Sequence, residues 1–152
     1  MKNFVYTSCS SRFSLFNFMA RRRHLSRIAV MQVLFEREKH PRMLPPEEAL
    51  QGNADELGEY DANFALMLLA GVLEKEQAVK DAVQLHAPQW PLERMDPISR
   101  CILLVGAYEL LFNKDVPPAV VMNEAIEIAK EYGTEEGGKF VNGVLNAIAH
   151  AS

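Results

Sequence analysis

An all-α fold of six or seven helices is what this sequence predicts, and three observations carry that reading. No run alternates apolar and polar residues with period two for long enough to argue a strand. Apolar residues instead recur at three- and four-residue spacing through most of the chain. Pro, Gly, Asp and Thr then punctuate these stretches at positions where helices start and stop. With 152 residues, 49% of them apolar, the chain can close one modest core or two small helical lobes without disulfides or metals.

The first helix is marked by Leu25, Ile28, Ala29, Gln32 and Phe35 on one face. Val30, Met31, Val33 and Leu34 widen that face until the helix reads as mostly buried and central to the fold. Pro41, Pro45 and Pro46 end it and open a short segment over 47–51, with Gly52 and Asn53 as a loop. Asp61 is placed to cap the next helix, which carries Phe64, Leu68 and Leu69 and continues towards Val79 and Val83, with a break near 71–76. Asp96-Pro97 reads as N-cap and first helical residue of an apolar helix over 98–112, the buried axis of the second half. Pro117-Pro118 open the following helix and Gly133 closes it at the C′ position. Thr134 caps the last helix, with Glu135 and Glu136 in its first turn.

Composition excludes several classes of function. Cys9 and Cys101 sit in no paired or metal-ligand spacing, and His24, His40, His86 and His150 lack a partner at i+3 or i+4, so a reducing compartment without a metal is expected. The longest apolar run, 101–107, is too short to span a bilayer. There is no Gly-rich phosphate loop, nucleophile elbow or metal-binding pair, so neither catalysis nor a cofactor is expected. Glu124, Glu127 and Glu131 are spaced like a solvated helix face.

Charge is distributed unevenly. Residues 1–27 carry Lys2, Arg12, Arg21, Arg22, Arg23 and Arg27 with no carboxylate, a charge of +6 against −10 for the remainder. A basic arm on an acidic body suggests a polyanion site, although Arg21–Arg23 also fit a solvated helix start. At a helix amino terminus cations oppose the dipole, while the free backbone N–H groups favour phosphate.

The last helix carries a second signal. Beside its apolar stripe of Val141, Val144, Leu145 and Ile148, Lys139, Asn142, Gly143 and Asn146 recur at i, i+3, i+4 and i+7 as a polar stripe. Gly143 in mid-helix costs about 1 kcal/mol against Ala, which suggests a close approach there. Phe140 borders both stripes; it reads either as a stacking platform for an unpaired base or as a residue packed under the first helix. Trp90 and Tyr108 are also able to stack bases, but their settings read as core.

Residues 1–18 are rich in Ser, Phe and Asn and differ from everything after Met19. They are expected to be a disordered extension, either a start codon placed too early or an organelle transit peptide, with the folded domain over 19–152. Met19-Ala20-Arg21-Arg22-Arg23 looks like an ordinary bacterial beginning, which favours the first of these and a bacterial cytoplasmic protein.

Three blocks of residues together resemble the NusB family of transcription antitermination factors. They are the Arg-rich start with Arg27, Ala29, Gln32, Leu34 and Phe35; Ala107-Tyr108-Glu109-Leu110 followed by Asp115-Val116-Pro117; and 123–130 with Gly133 and Lys139-Phe140-Val141-Asn142-Gly143-Val144-Leu145. The resemblance spans 21–149 and implies two small helical bundles packed together, with no enzymatic activity. It also implies binding of boxA-type RNA in nascent ribosomal RNA transcripts, with the small-ribosomal-subunit protein NusE, other Nus factors and RNA polymerase as partners.

By the same resemblance, Arg21, Arg22, Arg23 and Arg27 form the basic RNA-binding arm. Lys139, Phe140 and Asn142 form the second part of that surface, and Tyr108 and Glu109 face the partner protein. Leu104 stands where the family has Arg, and Gly137 where it has Ser. Two alternatives stay open: a homodimeric helical interaction scaffold, and a detached RNA-binding module of an RNA methyltransferase.

Overall fold

In the computed structural model the backbone is described for residues 2–41 and 44–152. Side chains are described from residue 12 onward, apart from 13, 42 and 43. Seven α-helices follow one another among these residues: α1 (Lys2–Lys39), α2 (Pro46–Leu57), α3 (Ala62–Glu74), α4 (Glu76–His86), α5 (Pro97–Phe112), α6 (Pro118–Tyr132) and α7 (Glu135–Ala151). A single 3-10 turn (Leu92–Arg94) precedes α5, and no strand occurs among the described residues. α2 and α3 pack on α1 as one small bundle, α4, α6 and α7 pack around α5 as the second, and contact between α1 and α5 joins the two.

The capping residues act as their sequence positions suggest. The side chains of Asp61, Asp96 and Thr134 accept from the backbone N–H groups of Phe64 (3.1 Å), Ser99 (3.1 Å) and Gly137 (3.0 Å), satisfying donors that have no partner within the helix. Lys75 separates α3 from α4, inside the expected break. The α5 core consists of residues 101–107, all buried, and α1 buries Leu25, Ile28, Ala29, Val30, Met31, Val33 and Leu34.

Several expectations are corrected. Gly52 and Asn53 lie inside α2, not in a loop. Leu50 and Ala54, four residues apart, are buried, and the Asn53 amide donates to Glu36 of α1 at 3.1 Å, so tertiary packing outweighs the breaker signal. The turn falls instead at Gly58, whose φ of 124° suits glycine. Gly133 does end α6, but in extended geometry (φ −119°, ψ −151°) rather than the left-handed C′ form.

The backbone is helical from Lys2, where a disordered extension was expected for 1–18. No Pro or Gly interrupts the stretch 2–39, so the helix continues upstream of the core, with residues 14–20 exposed. Arg21–Arg23 therefore sit in mid-helix, and the argument from a helix amino terminus does not apply to them. The side chain of Cys9 lies outside the described residues. Cys101 is buried, and burial pushes its thiol up to about 12. No helix among the described residues is long and apolar enough to cross a membrane.

Candidate nucleic-acid interface

The four arginines of the expected arm fall into three environments. Arg21 is exposed. Arg23 is exposed as well; its guanidinium lies 4.8 Å from the centroid of the Phe64 ring and 3.8 Å from the Asp61 carboxylate. Arg22 is half-buried and donates to the Tyr60 carbonyl at 3.1 Å, anchoring the turn between α2 and α3 to α1. Ser26, which the sequence did not single out, reinforces the same corner: its hydroxyl donates towards the Arg22 and Asp61 carbonyls and accepts from the Asp61 N–H at 3.0 Å.

Arg27 belongs to the interior, which corrects its assignment to the RNA-binding arm. Its side chain is 4% exposed, and Nε and Nη2 each donate to the Glu109 carboxylate at 2.9 Å in a bidentate pair. Glu109 is 1% exposed, so it is not a partner-facing residue either. The reason is spacing along two helices: Arg27 shares the buried stripe of α1 and Glu109 that of α5, and each charge is tolerated in the core because the other neutralises it. Phe64 lies against Arg27 at 4.9 Å, so its ring is flanked by two guanidinium groups.

Glu124 corrects the solvated-face reading of α6. Its carboxylate is 3.6 Å from Arg27 Nη1 and hydrogen-bonds His24 Nδ1 at 2.6 Å, with Glu131 3.7 Å from the other ring nitrogen. The hydrogen bond to Glu124 and the charges of Glu124 and Glu131 raise the His24 pKa above its ordinary value against the opposing effect of burial. A raised folded-state value means the stabilisation is complete below the unfolded pKa of about 6.5 and is lost as pH rises through the higher folded value. The melting-temperature difference between wild type and His24→Gln is therefore expected to be largest at pH 5 and to shrink towards pH 8. A difference that stays constant over that range would rule out the protonated pair.

The second part of the expected surface is on α7. Lys139 and Asn142 are exposed, and Lys139 reaches Glu135 only at 3.9 Å. Phe140 is half-buried against the core and meets Trp90 edge to face, with centroids 6.2 Å apart and ring planes at 72°. Trp90 is 56% exposed, against its reading as core. With Lys139 and Gly143 these rings line an open groove between α7 and the loop after α4. A Cβ built on Gly143 would meet nothing within 4 Å, so the expected close approach is absent among the described residues and the glycine faces open space. Tyr108 is half-buried, with its ring 5.8 Å from that of the exposed Phe112.

The arginines and the α7 residues are not brought together. Arg27–Glu109 and Arg100–Glu38 make α1 antiparallel to α5, while the closeness of Gly137 to Ser99 and of Gly106 to Leu145 makes α7 parallel to α5. Arg21–Arg23 thus lie beyond the carboxy end of α5 and Phe140 lies level with its first turns, an axial separation of roughly 15–20 Å at 1.5 Å per residue. Any ligand that uses both must be elongated. Among the described residues no group of three or more His, Cys, Asp or Glu is placed to hold a metal.

Fold and surface together define an all-helical factor that presents a basic helix at one end and an aromatic groove with a lysine at the other. The NusB family model matches residues 24–150, and the chain belongs to the NusB family. The transcription antitermination protein NusB of Desulfitobacterium hafniense is 38% identical over 131 residues, 85% of this chain and 88% of that protein. The structure of T. maritima NusB aligns with a TM-score of 0.75 at 38% identity, covering 84% of this chain and 89% of that one. A crystal structure of the antitermination factors NusB and NusE in complex with dsRNA aligns with a TM-score of 0.76 at 26% identity, covering 87% and 98%. Tyr108, Glu109, Lys139, Phe140 and Asn142 fall within the span matched by the family, whereas Arg21–Arg23 precede it.

Proposed function

We propose that this protein is a transcription antitermination factor that binds boxA-type single-stranded RNA of nascent ribosomal RNA transcripts together with NusE. In that role it helps RNA polymerase resist premature termination. The observation that carries the reading is the groove where Phe140 meets an exposed Trp90 beside Lys139 and Asn142, because unpaired bases are recognised by stacking and edge hydrogen bonds added to phosphate neutralisation. Arg21 and Arg23 supply further phosphate contacts at the other end of the surface. With few such contacts the affinity of the lone protein is modest, and a bound partner that adds its own contacts to the same strand raises it. Tyr108 and the adjoining Phe112 are the proposed partner-facing residues on α5. The reading assigns the protein no catalytic step, places it in the bacterial cytoplasm, and extends its partners to the other Nus factors.

The test is a titration of boxA-like, scrambled and duplex RNA of equal length, with and without NusE. Selective binding of the boxA-like strand, strengthened by NusE, supports the reading. A salt-independent homodimer that leaves all three RNAs unbound would replace it with an interaction scaffold. Within the same assay, Arg21→Ala/Arg23→Ala is expected to weaken binding to every sequence and to lower the slope of log K against log salt by about 0.7 per lost contact, whereas Phe140→Ala weakens binding at unchanged slope. Equal slopes for wild type and the double variant would remove the arginines from the interface.

A further inference from the structure

Arg23 has a side chain 45% exposed, and a long cationic side chain so placed ordinarily samples many rotamers. Here it has a support. Its guanidinium lies 4.8 Å from the centroid of the Phe64 ring, and the Asp61 carboxylate, 3.8 Å from Nε, is its second neighbour. Phe64 is itself fixed on α3. Its backbone N–H donates to the Asp61 side chain at 3.1 Å in the first turn of the helix, and its ring is half-buried against the core. The Arg27 guanidinium, held by two 2.9 Å bonds to Glu109, lies 4.9 Å from the centroid of the same ring.

These groups form one series that runs from the interior to the surface: Glu109, Arg27, Phe64, Arg23. Arg23 and Arg27 are four residues apart on α1, so one ring on α3 serves both. The two neighbours of Arg23 act differently on a bound phosphate. The Asp61 carboxylate competes with the phosphate for the cation and repels it. The Phe64 ring attracts the cation through its face, carries no net charge and takes none of the guanidinium's hydrogen-bond donors. Freedom that the arginine loses against the ring on folding is not lost again when RNA binds, so the contact favours affinity without touching the ligand.

We infer that Phe64 is a positioning residue for RNA binding, whose ring holds the Arg23 guanidinium in place to meet a phosphate of the bound strand. This rests on the RNA-binding function proposed above and adds to it a residue on α3 that acts through Arg23.

The test combines Arg23→Ala and Phe64→Leu in a cycle, read by the affinity of the complex with NusE for a boxA-like strand, with NMR of the Arg23 Nε–Hε group in the free protein. The ring current of Phe64 should move that signal upfield in wild type, and the displacement should vanish in Phe64→Leu and persist in Phe64→Tyr. Phe64→Leu should weaken RNA binding about 2- to 5-fold, the range of one exposed cation–ring contact, and Phe64→Tyr should bind as wild type does. In the Arg23→Ala background Phe64→Leu should have no further effect on affinity, whatever it costs in stability.

Equal losses of affinity in the two backgrounds would make Phe64 a merely structural residue and overturn the positioning role while leaving the RNA-binding function standing. An Arg23 signal at its random-coil position in wild type would overturn it as well, and so would Arg23→Ala binding RNA as tightly as wild type. Absence of RNA binding by wild type under every condition would overturn both readings. The NMR measurement on wild type uses the unaltered chain, so it tests the arrangement even where a variant misfolds.

Discussion

Arg27→Met is expected to lower the unfolding free energy by about 3–5 kcal/mol, a third or more of the total for an ordinary domain, although methionine fills much the same volume. The loss comes from Glu109, which would remain 1% exposed with no guanidinium to neutralise it. Glu109→Leu should cost a similar amount by stranding Arg27, which keeps the longer contact to Glu124 at 3.6 Å and the face of Phe64 at 4.9 Å. Combined, Arg27→Met/Glu109→Leu should recover most of the loss, since replacing a buried pair by apolar residues of like volume is often neutral. Urea unfolding of the four proteins gives the cycle; strictly additive losses would show that the two residues do not act as a pair.

The same cycle separates two roles for Arg27. If its part is to join α1 to α5, RNA binding falls in the single variant in proportion to lost folding and returns in the stable double variant. A direct phosphate contact would leave the double variant deficient. The burial of the guanidinium favours the first outcome, which leaves phosphate neutralisation at this end to Arg21 and Arg23.

What could be read in the sequence divides along the range of the interaction. Asp61, Asp96 and Thr134 cap helices through bonds to residues three positions away, and such local chemistry is visible in the order of residues. The apolar stripe of α7 was equally plain, because periodicity is local too. Arg27 and Glu109 are 82 positions apart, and His24 and Glu124 are 100 apart, so nothing near either residue reveals its partner. An arginine next to other arginines reads as part of their patch until the packing of α1 on α5 turns it inward. Trp90 failed in the opposite sense: an aromatic residue between prolines reads as core, and only the hydrogen bonds of Gln84 show that the loop points it to solvent. The family resemblance transferred Phe140 and Lys139 to an accessible groove, but it also carried over Arg27 and Glu109, which the structure assigns to the interior.

Gly71→Ala is expected to destabilise the protein by about 1–2 kcal/mol, the cost of overpacking less the helical preference of alanine. α3 crosses α5 at this residue, and a Cβ built there would clash with the hydroxyl and Cζ of Tyr108 and lie 2.8 Å from its Cε2. The backbone of α3 cannot retreat easily, because Leu68, Leu69 and Val72 on the same helix are each at most 2% exposed. Tyr108 must therefore swing, and its ring already lies 5.8 Å from Phe112. Gly143→Ala is the control: the same helix-propensity gain meets open space there, so stability should rise by up to about 1 kcal/mol.

Thermal and urea unfolding of both variants test the contrast, and stabilisation by Gly71→Ala would show that the crossing is looser than the contact of Gly71 with Tyr108 requires. In a Tyr108→Ala background the added methyl should become harmless, since the space it needs is vacant. Because Tyr108 is also the proposed partner-facing residue, its displacement in the Gly71→Ala variant should weaken NusE binding by more than the stability loss accounts for. Unchanged NusE affinity in a folded Gly71→Ala protein would move the partner surface away from this part of α5.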